Sequence, residues 1–204
     1  MEDVLMLERI LSRPECATAA VELKGNVLVV RPLQEDDGVR MAAYFDGLSA
    51  RTRGWFAPHK FDAETAQALC RDRLSPSAEG GVRMVAVTST APPSIAAYFI
   101  FLLGVRAEDR TRFASYGLAL NGETDCTLAP SVADAFQGVG LGSAMLRHVV
   151  EIALRAGRTR MVLLGGVNAD NLGAVHFYEK FGFRTVAAFG TATRKYDMIM
   201  NVTT

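Results

Sequence analysis

The chain has 204 residues, 22 Lys+Arg balanced by 22 Asp+Glu, half of its residues hydrophobic and only 22% charged. That length suits one domain with a real core plus short terminal pieces. The apolar share excludes a disordered chain, and zero net charge argues against a generic nucleic-acid binder, which needs a strongly basic face.

Cys16, Cys70 and Cys126 form an odd set without CxxC or Cys/His spacing. Neither a disulfide framework nor a metal site is expected, and a reducing cytoplasm fits. The start carries acids where a secretory leader needs a basic region, and no segment reaches the roughly 18 uninterrupted apolar residues of a membrane span. A soluble, cytoplasmic protein is the expectation.

Residues 1–24 place Val4, Leu5, Leu7 and Leu11 at helical spacing, with Pro14 as a break, which predicts an N-terminal helical extension ahead of a domain over residues 25–204. Asn26 to Leu33 is a β-branched strand ending at Pro32. Glu35-Asp36-Asp37 puts acids at the start of a helix over Gly38 to Phe45, and a second helix is predicted over Ala63 to Leu74. Val82–Thr88 and Ile95–Leu103 read as strands joined by a Pro-rich turn. Phe113–Leu120 and Thr124–Val132 flank Asn121-Gly122, a hairpin signal. Pro130 cannot donate to a ladder, so a bulge or a one-sided strand is expected there.

Beyond that point helices alternate with strands: helix Gly140–Ala156, strand Arg160–Leu164, helix Asn171–Phe181, then strands Phe183–Phe189 and Tyr196–Val202. That order implies parallel pairing, whereas the middle of the chain is built from hairpins. The predicted class is α+β with a mixed sheet.

Gln137-Gly138-Val139-Gly140-Leu141-Gly142-Ser143 lies between a strand and an amphipathic helix. Its glycines let backbone approach a ligand closely, and the free N–H groups of a helix N-terminus suit a pyrophosphate. A Walker A loop would need a Lys that is missing, and a dinucleotide fingerprint fits poorly because Ser143 stands at its sixth place. Further on, Asn171, Ala174, Val175 and Tyr178 share one helix face. By spacing alone Asn171 could equally be a cap and Tyr178 a half-buried core aromatic; beside the glycine loop, the ligand reading is favoured.

Gln137, Gly140 and Gly142 match the pattern [QR]xxGx[GA], which resembles the acetyl-CoA loop of the GCN5-related N-acetyltransferase (GNAT) superfamily. Asn171-Leu-Gly-Ala174-Val-His-Phe-Tyr178-Glu-Lys-Phe-Gly182-Phe183 resembles the family's N-x-x-A-x-x-x-Y-E-K-x-G-F element, and Arg31-Pro32 followed by Asp36-Asp37 is similar to its start. The resemblance is to bacterial single-domain members and covers about residues 26 to 202. It implies a GNAT-like acyl-CoA N-acyltransferase fold, with a central, mostly antiparallel twisted sheet flanked by helices.

It also implies an acetyl-CoA-dependent N-acetyltransferase in which an amine attacks the bound thioester directly. By resemblance, Val132 is the backbone partner near the thioester, residues Gln137 to Ser143 cradle the pyrophosphate, Asn171 and Ala174 line the cofactor, and Tyr178 protonates the departing thiolate. Relatives acting on lysine or polyamines often carry a Glu where this chain has Thr127. Asp125, two residues earlier on the same strand face, is the candidate general base; Asp134 is expected to fix the loop by accepting backbone N–H bonds.

His148 reads as packed, His176 as off the Tyr178 face, and His59 with Trp55 and Phe56 as either acceptor-pocket lining or local packing. Cys126 lacks a partner His and is no nucleophile. The expected partners are acetyl-CoA and an amine acceptor, either a protein lysine or a small molecule, without nucleic acid, membrane or metal; a homodimer is left open. The alternative is a non-catalytic acyl-CoA-binding module, kept alive by Thr127. Residues 137–204 carry net charge +4 and residues 1–136 carry −4, so an anionic CoA would meet the positive half.

Overall fold

The computed structural model describes Ile10, residues 12–72 and residues 80–202. β1 (Ala19–Leu23) and β2 (Asn26–Pro32) pair antiparallel from Ala19↔Val30 to Leu23↔Asn26. Lys24-Gly25 turns between them, both at positive φ (49° and 78°), the backbone twist that two-residue hairpins demand. The helical extension expected over residues 1–24 is thus corrected from Ala19 onward, where a strand joins the sheet. Residues 1–9 and 11 lie outside the described residues, Ile10 is buried in the core, and Pro14–Ala17 forms a 3-10 turn.

The acids after β2 do more than complement a helix dipole. Asp37 is fully buried and its carboxylate accepts from Arg31 at 2.6 and 2.8 Å, from Arg40 Nη1 at 2.6 Å and from Gln34 N at 2.9 Å. Burial pushes the Asp37 carboxyl up, but the two guanidinium groups and the Gln34 N–H outweigh it and hold the pKa below its ordinary value. This cluster anchors the start of α1 (Gly38–Gly47).

A short helix that periodicity did not predict, α2 (Ala50–Trp55), follows, capped by Ser49 Oγ accepting from Thr52 N. Asp62 Oδ1 caps α3 (Ala63–Arg71) by accepting from Thr65 N at 2.7 Å. The predicted end of this helix, Leu74, lies outside the described residues.

β3 (Gly81–Thr88) and β4 (Ile95–Leu102) form the antiparallel centre, and every residue of β4 is buried because both sheet faces are covered. Next come α4 (Ala107–Ala114) and β5 (Asp125–Val132). The hairpin around Asn121-Gly122 does not form. β5 pairs with β4 on one edge and, over Asp125–Leu128, with β6 (Arg160–Leu163) on the other, so no edge is left beside residues 125–128 for a strand from Phe113 to Leu120. Phe113 instead ends α4 and buries its ring against Val105, Val162 and Ile199.

After α5 (Leu141–Arg155) and β6 come β7 (Val167–Asn168), α6 (Leu172–Lys180), β8 (Arg184–Phe189) and β9 (Lys195–Asn201). The sheet order is β1-β2-β3-β4-β5-β6-β9-β7, with β8 on the far side of β9: Ile199 pairs with Val162 on one edge and Arg184 on the other. The parallel pairing expected for the C-terminal half holds for β5/β6 alone, because β8 and β9 close as an antiparallel hairpin. Alternate strand residues feed two cores. Met84, Phe99, Phe101 and Leu128 pack with Met145, Val149 and Ile152 of α5 and Tyr178 of α6; Val85, Tyr98 and Ile100 pack with Met41, Phe45 and Leu69.

Candidate functional site

β5 and β6 part company half-way along β5. Their parallel ladder runs from Asp125↔Arg160 to Leu128↔Leu163, closed by Leu164 N donating to Leu128 O at 2.9 Å, while β4 accompanies β5 to Ala97↔Val132. From Ala129 onward one edge of β5 has no β6 partner. Leu128 faces that edge, so by strand alternation Pro130 and Val132 do too. Pro130 therefore sits in the one-sided stretch its missing N–H requires, in register with Phe99 and without a bulge. The edge offers the Pro130 carbonyl and the Val132 N–H, while the Val132 carbonyl already accepts from Gln137 Nε2 at 3.1 Å.

The open edge leads directly into the glycine loop. Gly138 and Gly140 adopt φ +71° and +96°, which L side chains rarely adopt, and Gly140 is the N-cap of the 15-residue α5. A Cβ on Gly140 would make only ordinary contact with Leu23 at 3.6 Å, so its φ, not crowding, calls for glycine. Gln137, Gly138 and Gly140 are exposed, Val139 and Ser143 are half-buried, and Leu141 is fully buried, fixing the helix start to the core. The first amides of α5 have no carbonyl one turn earlier to bond.

The second motif meets the first. A Cβ on Gly142 would lie 3.6 Å from Val132 Cγ2 and 3.7 Å from the Phe177 ring, so α6, the α5 start and the β5 end converge there. Phe177 stacks edge-on against Tyr178 at 5.2 Å, and Tyr178 against Phe183 at 5.3 Å. Tyr178 is 6% exposed, and burial pushes its phenol pKa well above the ordinary value. Asn171 caps α6, its Oδ1 accepting from Ala174 N at 3.1 Å, so the capping alternative is realised for that oxygen. Ala174 is half-buried beside it.

Asp125 is not a free base. Its side chain is fully buried and held by Arg160 at 2.8 and 2.6 Å and by Asn121 N at 2.7 Å. It also stands seven residues from Val132, about 23 Å along an extended strand. The carboxylate closes the β5/β6 start and belongs to the fold. Thr127 likewise donates to Gly104 O at 2.8 Å and is buried.

On the opposite sheet face, the Tyr44 hydroxyl donates to Ser131 Oγ at 2.8 Å. His59 sits among Phe45, Phe56, Phe61 and Tyr98 with ring centroids 5.3 to 6.5 Å away; burial lowers its pKa. Phe56 is core, whereas Trp55 remains 39% exposed. His148 is packed, its Nε2 2.9 Å from Ala17 O, and His176 is exposed.

Residues 121–183 match the Acetyltransferase (GNAT) family. Over 137 residues, 67% of this chain, it is 27% identical to an acetyltransferase of Pseudomonas aeruginosa, a stretch spanning 65% of that relative's length. The GNAT domain of S. lividans PAT superposes with TM-score 0.69 at 20% identity, covering 92% of this chain and 98% of that one. The chain has the GNAT fold and is similar to the GNAT family over residues 121–183. Its GNAT fold also matches YncA of Salmonella typhimurium, solved with its cofactor acetyl-CoA, at TM-score 0.61 and 18% identity over 86% of this chain and 94% of the other.

Motif spacing did not reveal two features of this GNAT-fold chain. Phe177, an unspecified position of the second motif, lies between Gly142 and Tyr178. Ser49 and Thr52 reach the glycine loop from α2 through Asp134, which accepts from Ser49 N at 3.0 Å, Ser49 Oγ at 2.7 Å and Thr52 Oγ1 at 2.9 Å. The sequence signal for that helix start is Ser49 with Thr52 three residues on.

Proposed function

We propose that this GNAT-fold chain is an acetyl-CoA-dependent N-acetyltransferase passing an acetyl group to a primary amine, of a protein lysine or a small molecule, by direct attack. The observation that carries this is the unpaired Pro130–Val132 edge running into a left-handed glycine loop at a helix N-terminus. An extended amide chain can pair with such an edge, and a pyrophosphate suits the amides beyond it. These residues fit acetyl-CoA, which would supply the activated acyl group as a thioester.

Val132 would orient the amide chain, the Gly138–Ser143 backbone would hold the phosphates, and Tyr178 would give its proton to sulfur as the C–S bond breaks and the N–C bond forms. An ordinary phenol already carries its proton at neutral pH, and the tyrosinate left by the transfer would regain a proton from solvent. β5 offers no free carboxylate near Val132, so the amine is proposed to enter neutral and to lose its remaining proton to solvent. The rate should then follow the acceptor's own pKa. Two amines of different pKa should give pH profiles displaced by that difference; profiles breaking at one common pH would reveal an enzymic base.

Thiol release from acetyl-CoA with a panel of amines tests the activity, alongside calorimetric binding of CoA. The absence of a carboxylate at Thr127 favours one second reading, an acyl-CoA-binding module without turnover. Tight CoA binding with no thiol release across the panel would establish it.

A further inference from the structure

A directed chain of hydrogen bonds joins the glycine loop to α2. Gln137 Nε2 donates to Val132 O at 3.1 Å and to Thr52 Oγ1 at 3.4 Å; Thr52 Oγ1 and Ser49 Oγ both donate to Asp134 Oδ1, and Ser49 N donates to Asp134 Oδ2. The amide nitrogen faces two acceptors, the Thr52 hydroxyl donates to Asp134 while accepting from Gln137 and, at 3.2 Å, from Ser49 Oγ, and the carboxylate only accepts. Thr52 is 7% exposed, which limits the water at its own hydroxyl, whereas Ser49, Asp134 and Gln137 are exposed. The chain ends at the Val132 carbonyl, on the open β5 edge.

We propose that Asp134 is a positioning residue that couples the acyl-CoA loop to α2, so that filling the loop orders the wall on the other side of the β5 end. Gln137 touches both the open edge and Thr52, and Asp134 fixes Thr52 and the first turn of α2 together. An amide chain pairing with Val132 would restrict Gln137, and through Thr52 and Asp134 would restrict Ser49 to Thr52. The coupling is reciprocal: whatever binds against α2 should bind CoA-loaded protein more tightly.

Because this rests on the proposed acyl-CoA site, the test separates the two. Hydrogen–deuterium exchange of residues 49–55 and of residues 137–144 is followed with and without CoA, in wild type, Asp134→Asn, Thr52→Val and Thr52→Ser, each checked for unchanged melting behaviour. In wild type, CoA should slow exchange in both segments. In Asp134→Asn and Thr52→Val, protection of 137–144 should persist while that of 49–55 is lost, and CoA should bind about three- to tenfold more weakly, a coupling of ordinary size. Thr52→Ser, which keeps the hydroxyl, should behave as wild type.

Protection of 49–55 by CoA that is undiminished in Asp134→Asn would overturn the coupling with the acyl-CoA site intact. No CoA protection of residues 137–144 in wild type would instead sink the acyl-CoA site, and with it a coupling driven by that ligand. Even then, faster exchange of the Ser49 amide in ligand-free Asp134→Asn would show the tie itself.

Discussion

Tyr178 is the proposed acid, and Asp125, the weaker candidate for the base, is engaged elsewhere in the structure. Tyr178 is buried between Phe183 and Phe177, and it is the Phe177 ring that meets Gly142 of the first motif. If it protonates the thiolate, Tyr178→Phe should lower kcat by about ten- to a thousandfold with little change in CoA affinity; an unchanged kcat would remove it from the mechanism. Asp125 is spent on Arg160 at the far end of β5. Arg160→Leu would leave a buried carboxylate short of its partner and should cost about 3 kcal/mol, lessened because Arg160 is 30% exposed. A lower urea midpoint with normal kcat per folded molecule is the expected result. Asp125 could not be assigned from its neighbours in sequence, since its partner is 35 residues away.

At the level of helices and strands, the glycine loop is the feature most fully readable in the chain. Its glycines marked a loop that backbone can bring close to a ligand, and in the structure Gly138 and Gly140 adopt left-handed φ. Gly140→Ala should destabilise by about 1–2 kcal/mol through backbone strain and, by shifting the α5 amides, should weaken CoA binding at least severalfold, measured by calorimetry. A variant binding CoA normally would argue that the loop does not hold the phosphates. β1 and the absent hairpin were misread for a common reason. Five residues are too few for periodicity to separate strand from helix, and Asn121-Gly122 encodes a turn without encoding which edges are free to pair. In the fold that turn serves Asp125, whose carboxylate accepts from Asn121 N.

Across the molecule, the neutral total conceals a C-terminal third carrying +4 and a remainder carrying −4. The glycine loop begins the positive segment, so binding of the proposed multiply anionic ligand should be sensitive to salt. Raising ionic strength from about 0.1 to about 1 M, which shortens the Debye length from about 10 to about 3 Å, should weaken CoA binding roughly three- to tenfold. Insensitivity would indicate recognition by backbone amides and shape alone. Among the described residues no helix is long and apolar enough to cross a membrane. Each half contributes to the candidate site: the negative segment supplies β5, α2 and Asp134, and the positive one supplies Gln137, α5 and α6.

Local signals settled the identity of most strands and helices, the glycine loop and the second motif, because periodicity, caps and positive-φ glycines act within a few residues of themselves. Which strands pair, where β5 loses its neighbour, that Asp125 is a structural anion, and that Ser49 and Thr52 reach Asp134 across more than eighty residues emerged only on folding. Those features depend on groups distant in sequence competing for the same edges, charges and protons, and that competition is resolved by packing in space.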